Sequence, residues 1–207
     1  MNKSIKILSL FLSFALMPLT GFSEVKSHRI VFLGDSISAG YGVTKEQAYP
    51  TLLETLLINK GYKVEISNVS ISGSTSASLN SRIKWVMRKP IDLLVIGLGG
   101  NDGLRGFPIS ATKENLVKAI KFAKEKDIKV LLLGMKLPDN YGEEYQKNFY
   151  NMFSEIAREQ TIPLMPFLLK DVGGIQELNL NDRIHPNADG HKIIANNILP
   201  YIESALK

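Results

Sequence analysis

Ser36 stands in Gly34-Asp35-Ser36-Ile37-Ser38, just past a short apolar run. A serine hydroxyl attacks a carbonyl carbon only when a neighbouring base takes its proton. A base of the right type occurs near the other end of the chain, in Asp182-Arg183-Ile184-His185-Pro186. At that spacing the carboxylate can turn back onto His185 Nδ1, fix the tautomer and stabilise the imidazolium, while Nε2 faces Ser36. Two further segments, Ile71-Ser72-Gly73 and Gly99-Gly100-Asn101-Asp102, hold groups suited to a developing oxyanion. The Asn101 amide offers a neutral N–H, and a glycine at 73 lets its backbone N–H approach without a side chain in the way. With the Ser36 N–H they make a three-donor oxyanion hole.

Each segment also reads as ordinary structure. Ser36 could simply cap a helix, and Asp35 is expected to be a capping or turn residue rather than a reacting one. Gly-Gly-Asn-Asp is turn-forming, and Asp182 and His185 could cap the last helix. Pro186 restricts His185 to an extended backbone and is expected at the first position of that helix. His191 reads as structural or exposed within the helix, and His28 as exposed. The ordered combination of all four segments, each following an apolar run, favours chemistry.

The elements that must position these groups alternate in type. Apolar runs at residues 29–33, 63–69, 92–98, 129–133 and 162–165 predict strands. Residues 47–59, 76–89, 111–126, 143–160 and 187–206 carry helical periodicity, the last with a kink at Pro200. After Asp92, the run 92–98 continues without a polar side chain, as in a strand buried on both faces. Strand–helix alternation implies a parallel sheet covered by helices, with functional groups gathered beyond the carboxyl ends of the strands. No internal repeat or linker interrupts it.

The chain has 207 residues, 44% hydrophobic and 22% charged, which fits one globular domain. Cysteine is absent, so disulfides, thiolate nucleophiles and cysteine–metal sites are excluded, and three histidines leave little for a zinc site. Lys3 and Lys6 followed by an apolar stretch at 7–19 predict a secretory signal over 1–23, cut after Ser23, with one domain over 24–207. Removing it takes two lysines and no acids from the formal +5. The remaining charge is too mild to argue for nucleic acid and is compatible with loose attraction to an anionic membrane.

At this point the chain resembles the SGNH (GDSL-type) hydrolases, above all their branch of periplasmic arylesterases and multifunctional thioesterase/lysophospholipases. Residues 34–43 (GDSISAGYGV), 68–76 (NVSISGSTS), 98–107 (LGGNDGLRGF) and 182–186 (DRIHP) carry the resemblance, which spans the whole mature chain. It implies a flavodoxin-like three-layer α/β/α sandwich with a central parallel sheet of about five strands. It implies Ser36 as nucleophile, His185 as base, Asp182 as its orienting acid, and Ser36, Gly73 and Asn101 as the oxyanion hole. It also implies a metal-independent serine hydrolase without cofactor, acting on acyl esters, thioesters and lysophospholipids in the periplasm. Ile37 stands where leucine is usual, Ser74 where an acid often follows the glycine, and Arg183 where glycine is common. Arg183 therefore bears on substrate preference.

The acyl pocket is expected to be walled by the segments after Asn101 and after the fourth strand, with Leu104, Phe107, Ile109, Met135, Leu137 and Tyr141 as apolar surface. Asp102, Gly103, Leu104, Phe107 and Ile184 are the expected substrate contacts, in an open groove holding a linear acyl chain. The partner is a small-molecule acyl substrate, with transient contact to membrane lipids, and the protein is expected to be a monomer. A carbohydrate O-acetylesterase on the same fold is the alternative, and a non-catalytic binding module the other. A flavodoxin-type cofactor protein is discounted, because the loop after the first strand lacks a glycine-rich phosphate signature.

Overall fold

The computed structural model describes residues 27–207, so the signal expected over 1–23 lies outside the described residues. Strand β1 (Ser27–Gly34) runs into the short helix α1 (Ser36–Ala39), followed by a 3-10 turn (Lys45–Gln47) and helix α2 (Tyr49–Asn59). Then come β2 (Lys63–Asn68), a 3-10 turn (Ser76–Ser78), α3 (Leu79–Val86), β3 (Leu93–Gly97), α4 (Gly100–Leu104) and α5 (Ile109–Lys124). The chain continues through β4 (Lys129–Leu133), α6 (Glu143–Gln160), β5 (Leu164–Met165) and α7 (Ala188–Leu206).

The five strands form one parallel sheet in the order β2-β1-β3-β4-β5. Helices α2 and α7 pack on each other and on the sheet, while α3, α5 and α6 make a second helical group. This is the expected flavodoxin-like sandwich. Every residue of β3 is buried, as its uninterrupted apolar run requires. The strand order reverses between β1 and β3, which opens a crevice beyond their carboxyl ends. Ser36 lies directly after β1 and Asn101 directly after β3, so the topology itself brings two of the four segments together.

Several boundaries differ from the periodicity. The expected helix at 76–89 starts as a 3-10 turn and ends at Val86, since Pro90 disfavours helix ahead of it. The expected strand at 162–165 shrinks to Leu164–Met165, because Pro163 and Pro166 flank it and neither has an N–H to pair. Helix α7 continues as one element through Pro200. Its cap is Asn187, whose side chain accepts from Asp189 N and Gly190 N, so Pro186 precedes the cap rather than opening the helix.

Candidate active site

Asp35 caps α1: its Oδ1 accepts from Ile37 N at 3.1 Å. Gly40, in the left-handed region, closes the single turn. This places Ser36 at the first helical position, where its own N–H has no acceptor among the described residues. Asp35 is 3% exposed, and burial pushes its carboxyl up to about 6 against the pull of the Ile37 N–H and of His185. The folded carboxyl therefore holds its proton more tightly than the unfolded one, and stability falls as pH rises from 3.8 to about 6. Asp35→Asn keeps an oxygen for Ile37 N and removes the charge, so it gains up to ~3 kcal/mol on the wild type above that window. Asp35→Ala removes the same charge but loses the cap as well, so it lies about 1 kcal/mol below Asp35→Asn. Urea unfolding at about pH 4 and about pH 8 measures both, and equal pH slopes for wild type and Asp35→Asn would contradict the first expectation.

His185 is held in a closed loop. Leu180 N donates to His185 O at 2.8 Å and Arg183 N to Leu180 O at 2.9 Å. Asn179 bridges to Pro186, and its amide donates to Val172 O and Ile175 O, both at 2.7 Å. Arg183, at φ 59°, takes the left-handed turn that lets the chain double back. Asp182 Oδ1 accepts from Ile184 N at 2.9 Å and His185 N at 3.0 Å, and Oδ2 lies 2.7 Å from His185 Nδ1. Burial opposes the charge on Asp182, but these three N–H groups lower it to about 2. An ionised carboxylate only accepts, so Nδ1 carries the imidazole proton and the Nε2 lone pair is free. Nε2 lies 2.8 Å from Ser36 Oγ, and can accept its proton. Tyr41, not singled out in the sequence, lies against the imidazole with ring centroids 4.6 Å apart.

Gly73 takes φ 77°, a conformation that a side chain would strain, and its N–H has no acceptor among the described residues. Asn101 Nδ2 donates to Ser74 O at 3.0 Å, which uses one of its two hydrogens and fixes the amide plane. Asp102 ties these two loops from beneath: its carboxylate accepts from Ser76 N at 2.9 Å and from the Ser76 and Thr112 hydroxyls.

A cavity of about 640 Å³ opens at Ser36 and His185. Leu104, Met135, Leu137, Phe167, Leu169 and Ile184 give it apolar walls, with Asn101, Lys136 and Arg183 also lining it. Of the expected contacts, Leu104 and Ile184 lie on it, and Asp102, Gly103 and Phe107 do not. Asp102 is buried in the loop tie just described. Gly103 is packed so closely that an added Cβ would meet Leu137 and Phe149 at 2.7 Å. Phe107 sits past the end of α4, its carbonyl accepting from Tyr145 OH. Ile109 and Tyr141 pack on the core instead, Tyr141 OH donating to Leu104 O at 2.9 Å. Phe167 and Leu169 went unread in the sequence. Their signal was position, an apolar stretch ending in Gly173-Gly174 beyond the carboxyl end of β5.

His191 is fully buried. Its Nδ1 accepts from Tyr49 N at 3.2 Å, so α7 is pinned to α2. Burial, with His185 nearby, lowers it to about 4, and it stays neutral. His28 is half-buried in β1 rather than exposed.

Residues 32–193 match the GDSL-like Lipase/Acylhydrolase family. The chain belongs to that family. It is 37% identical over 192 residues to an arylesterase of Vibrio mimicus, covering 92% of this chain and 94% of the relative. It is 34% identical to the thioesterase 1/protease 1/lysophospholipase L1 of Escherichia coli strain K12, covering 89% and 88%. It superposes on the crystal structure of TesA with a TM-score of 0.84 at 36% identity, covering 86% of this chain and 99% of that one. Within the family, the Gly-Asp-Ser-Ile block and the Asp-x-x-His turn of this chain are the pieces that meet through Ser36 and His185.

Proposed function

We propose that the protein hydrolyses acyl esters and thioesters, lysophospholipids among them, through an acyl enzyme on Ser36. The observation that carries this is the hydrogen-bonded chain Asp182–His185–Ser36 ending at the mouth of an apolar cavity. Ser36 Oγ attacks the acyl carbon as His185 Nε2 takes its proton. The carbonyl oxygen, now an anion, is held by the Ser36 and Gly73 N–H groups and the remaining Asn101 N–H. Collapse expels the alcohol or thiol, which leaves with the proton from Nε2. Water then attacks the acyl-serine, again giving its proton to His185, and the carboxylic acid departs as Ser36 regains its hydrogen. The charge on His185 is balanced throughout by Asp182, so this sequence of steps calls on no metal or organic cofactor. The relatives named arylesterase and thioesterase 1/lysophospholipase L1 support ester and thioester substrates.

A carbohydrate O-acetylesterase is the less supported alternative, since an acetyl group would fill little of a cavity of about 640 Å³. The protein is proposed to work as a monomer after export across the inner membrane, with access to lipid surfaces.

Hydrolysis of p-nitrophenyl esters from acetate to palmitate, together with palmitoyl-CoA, tests the reading. Medium and long chains are expected to be cleaved. Leu104→Trp occupies the cavity at the α4 wall and should lower kcat/KM on decanoate about 50-fold while leaving acetate within about twofold, since each displaced methylene is worth ~0.8 kcal/mol. Activity confined to acetate in the wild type would instead favour the carbohydrate esterase.

A further inference from the structure

Trp85 and Ile71 are the most exposed large apolar side chains among the described residues, at 61% and 56%. They line one groove of about 450 Å³, formed where α3 meets the loop after β2. Water-facing tryptophan next to isoleucine is an unusual expenditure of apolar surface. Along the segment that forms the groove, the charged side chains are of one sign. From residue 68 to residue 91 the chain has no aspartate or glutamate, and it carries Arg82, Lys84, Arg88 and Lys89. Lys84, Arg88 and Lys89 are exposed, and so is Arg105, whose guanidinium donates to Gly73 O at 3.2 Å.

We infer that this groove and its basic rim are a docking face for an anionic lipid surface. A tryptophan edged by lysine and arginine is the combination that seats in a headgroup layer, the ring at the boundary and the cations on lipid phosphates. The face is also wired to the site. Arg82 donates to Val69 O and, at 3.2 Å, to Ser74 Oγ, and Ser74 O holds the Asn101 amide at 3.0 Å. A lipid leaving the surface at Ile71 is therefore next to the Gly73 loop. Docking does not depend on hydrolysis at Ser36, so it can be tested in Ser36→Ala protein and fails or stands apart from the proposed activity.

The chain holds a single tryptophan, so its fluorescence reports on this face alone. Exported protein is titrated with vesicles of phosphatidylglycerol and phosphatidylcholine, or of phosphatidylcholine only, and sedimented with them. The expected result is a blue shift and co-sedimentation with the anionic vesicles, lost at about 1 M salt, where screening acts within ~3 Å. Each basic residue at such a surface strengthens binding about fivefold, so K84Q/R88Q/K89Q should weaken partition about a hundredfold. Trp85→Ala should also weaken it, with hydrolysis of soluble p-nitrophenyl butyrate unchanged in both variants. Absence of binding to anionic vesicles at low salt, or equal binding by the charge variant, overturns the inference. So does a blue shift that follows protein concentration without vesicles and accompanies a doubled mass in sedimentation, which would make this face a contact between two copies.

Discussion

Ser36→Ala and His185→Ala each lower kcat on p-nitrophenyl butyrate by about 10⁴- to 10⁶-fold, and the double variant is no slower than either single one. The reason is the 2.8 Å contact between Oγ and Nε2. Once either partner is gone, the other has nothing to activate or nothing to be activated by, so their losses overlap instead of multiplying. The backbone donors around Ser36 and Gly73 stay in place in both variants, so a residual rate above the uncatalysed one persists. Steady-state kinetics with thermal unfolding in parallel checks this. A His185→Ala protein within about tenfold of wild type would mean that some other group takes the proton.

Asp182→Asn lowers kcat by about 10³- to 10⁴-fold while the fold is retained. Asp182 Oδ1 accepts two backbone N–H groups, from Ile184 and His185. In the amide that role keeps the oxygen in place and turns the NH₂ toward His185 Nδ1. Nδ1 must then accept, the ring proton moves to Nε2, and the imidazole can no longer take the Ser36 proton. The change is one of tautomer, so KM should move far less than kcat. A second consequence concerns acid. The carboxyl is lowered to about 2 in the folded protein, so its stabilisation is present above the unfolded value of 3.8 and is lost as pH falls through about 2. The amide lacks that dependence, and its unfolding profile between those values is flatter than that of the wild type. A variant with normal kcat would show that Asp182 merely shapes the turn.

The pieces of the proposed catalytic site were readable because each lies at a point where backbone chemistry is narrow. A strand ending in Gly-Asp-Ser, and a carboxylate placed to turn back onto a histidine before proline, leave few local geometries. The acyl wall was less readable, and α4 shows why. Gly100–Leu104 is too short to display a period, so its residues read as a turn. As a helix it presents Asn101 and Leu104, three apart, to the cavity, and turns Asp102 and Gly103 into the protein. The opposite happened at β5, where two prolines cut the strand to a pair of residues. The weak signal there hid Phe167 and Leu169 in the loop that follows. Asp35 was read as a cap and is one, but its burial beneath the cavity depends on packing that no local pattern announces.

Ser36 and His185 are 149 residues apart, and the bond that pins α7 to α2, Tyr49 to His191, spans 142. A chain made from its amino terminus thus carries the proposed nucleophile from early in translation and receives the proposed base only near the end. Until the loop carrying His185 closes on it, the Ser36 hydroxyl has no imidazole beside it to take its proton. Contacts of such long range also close slowly. The proposed site is therefore complete only once segments from early and late in the chain have met.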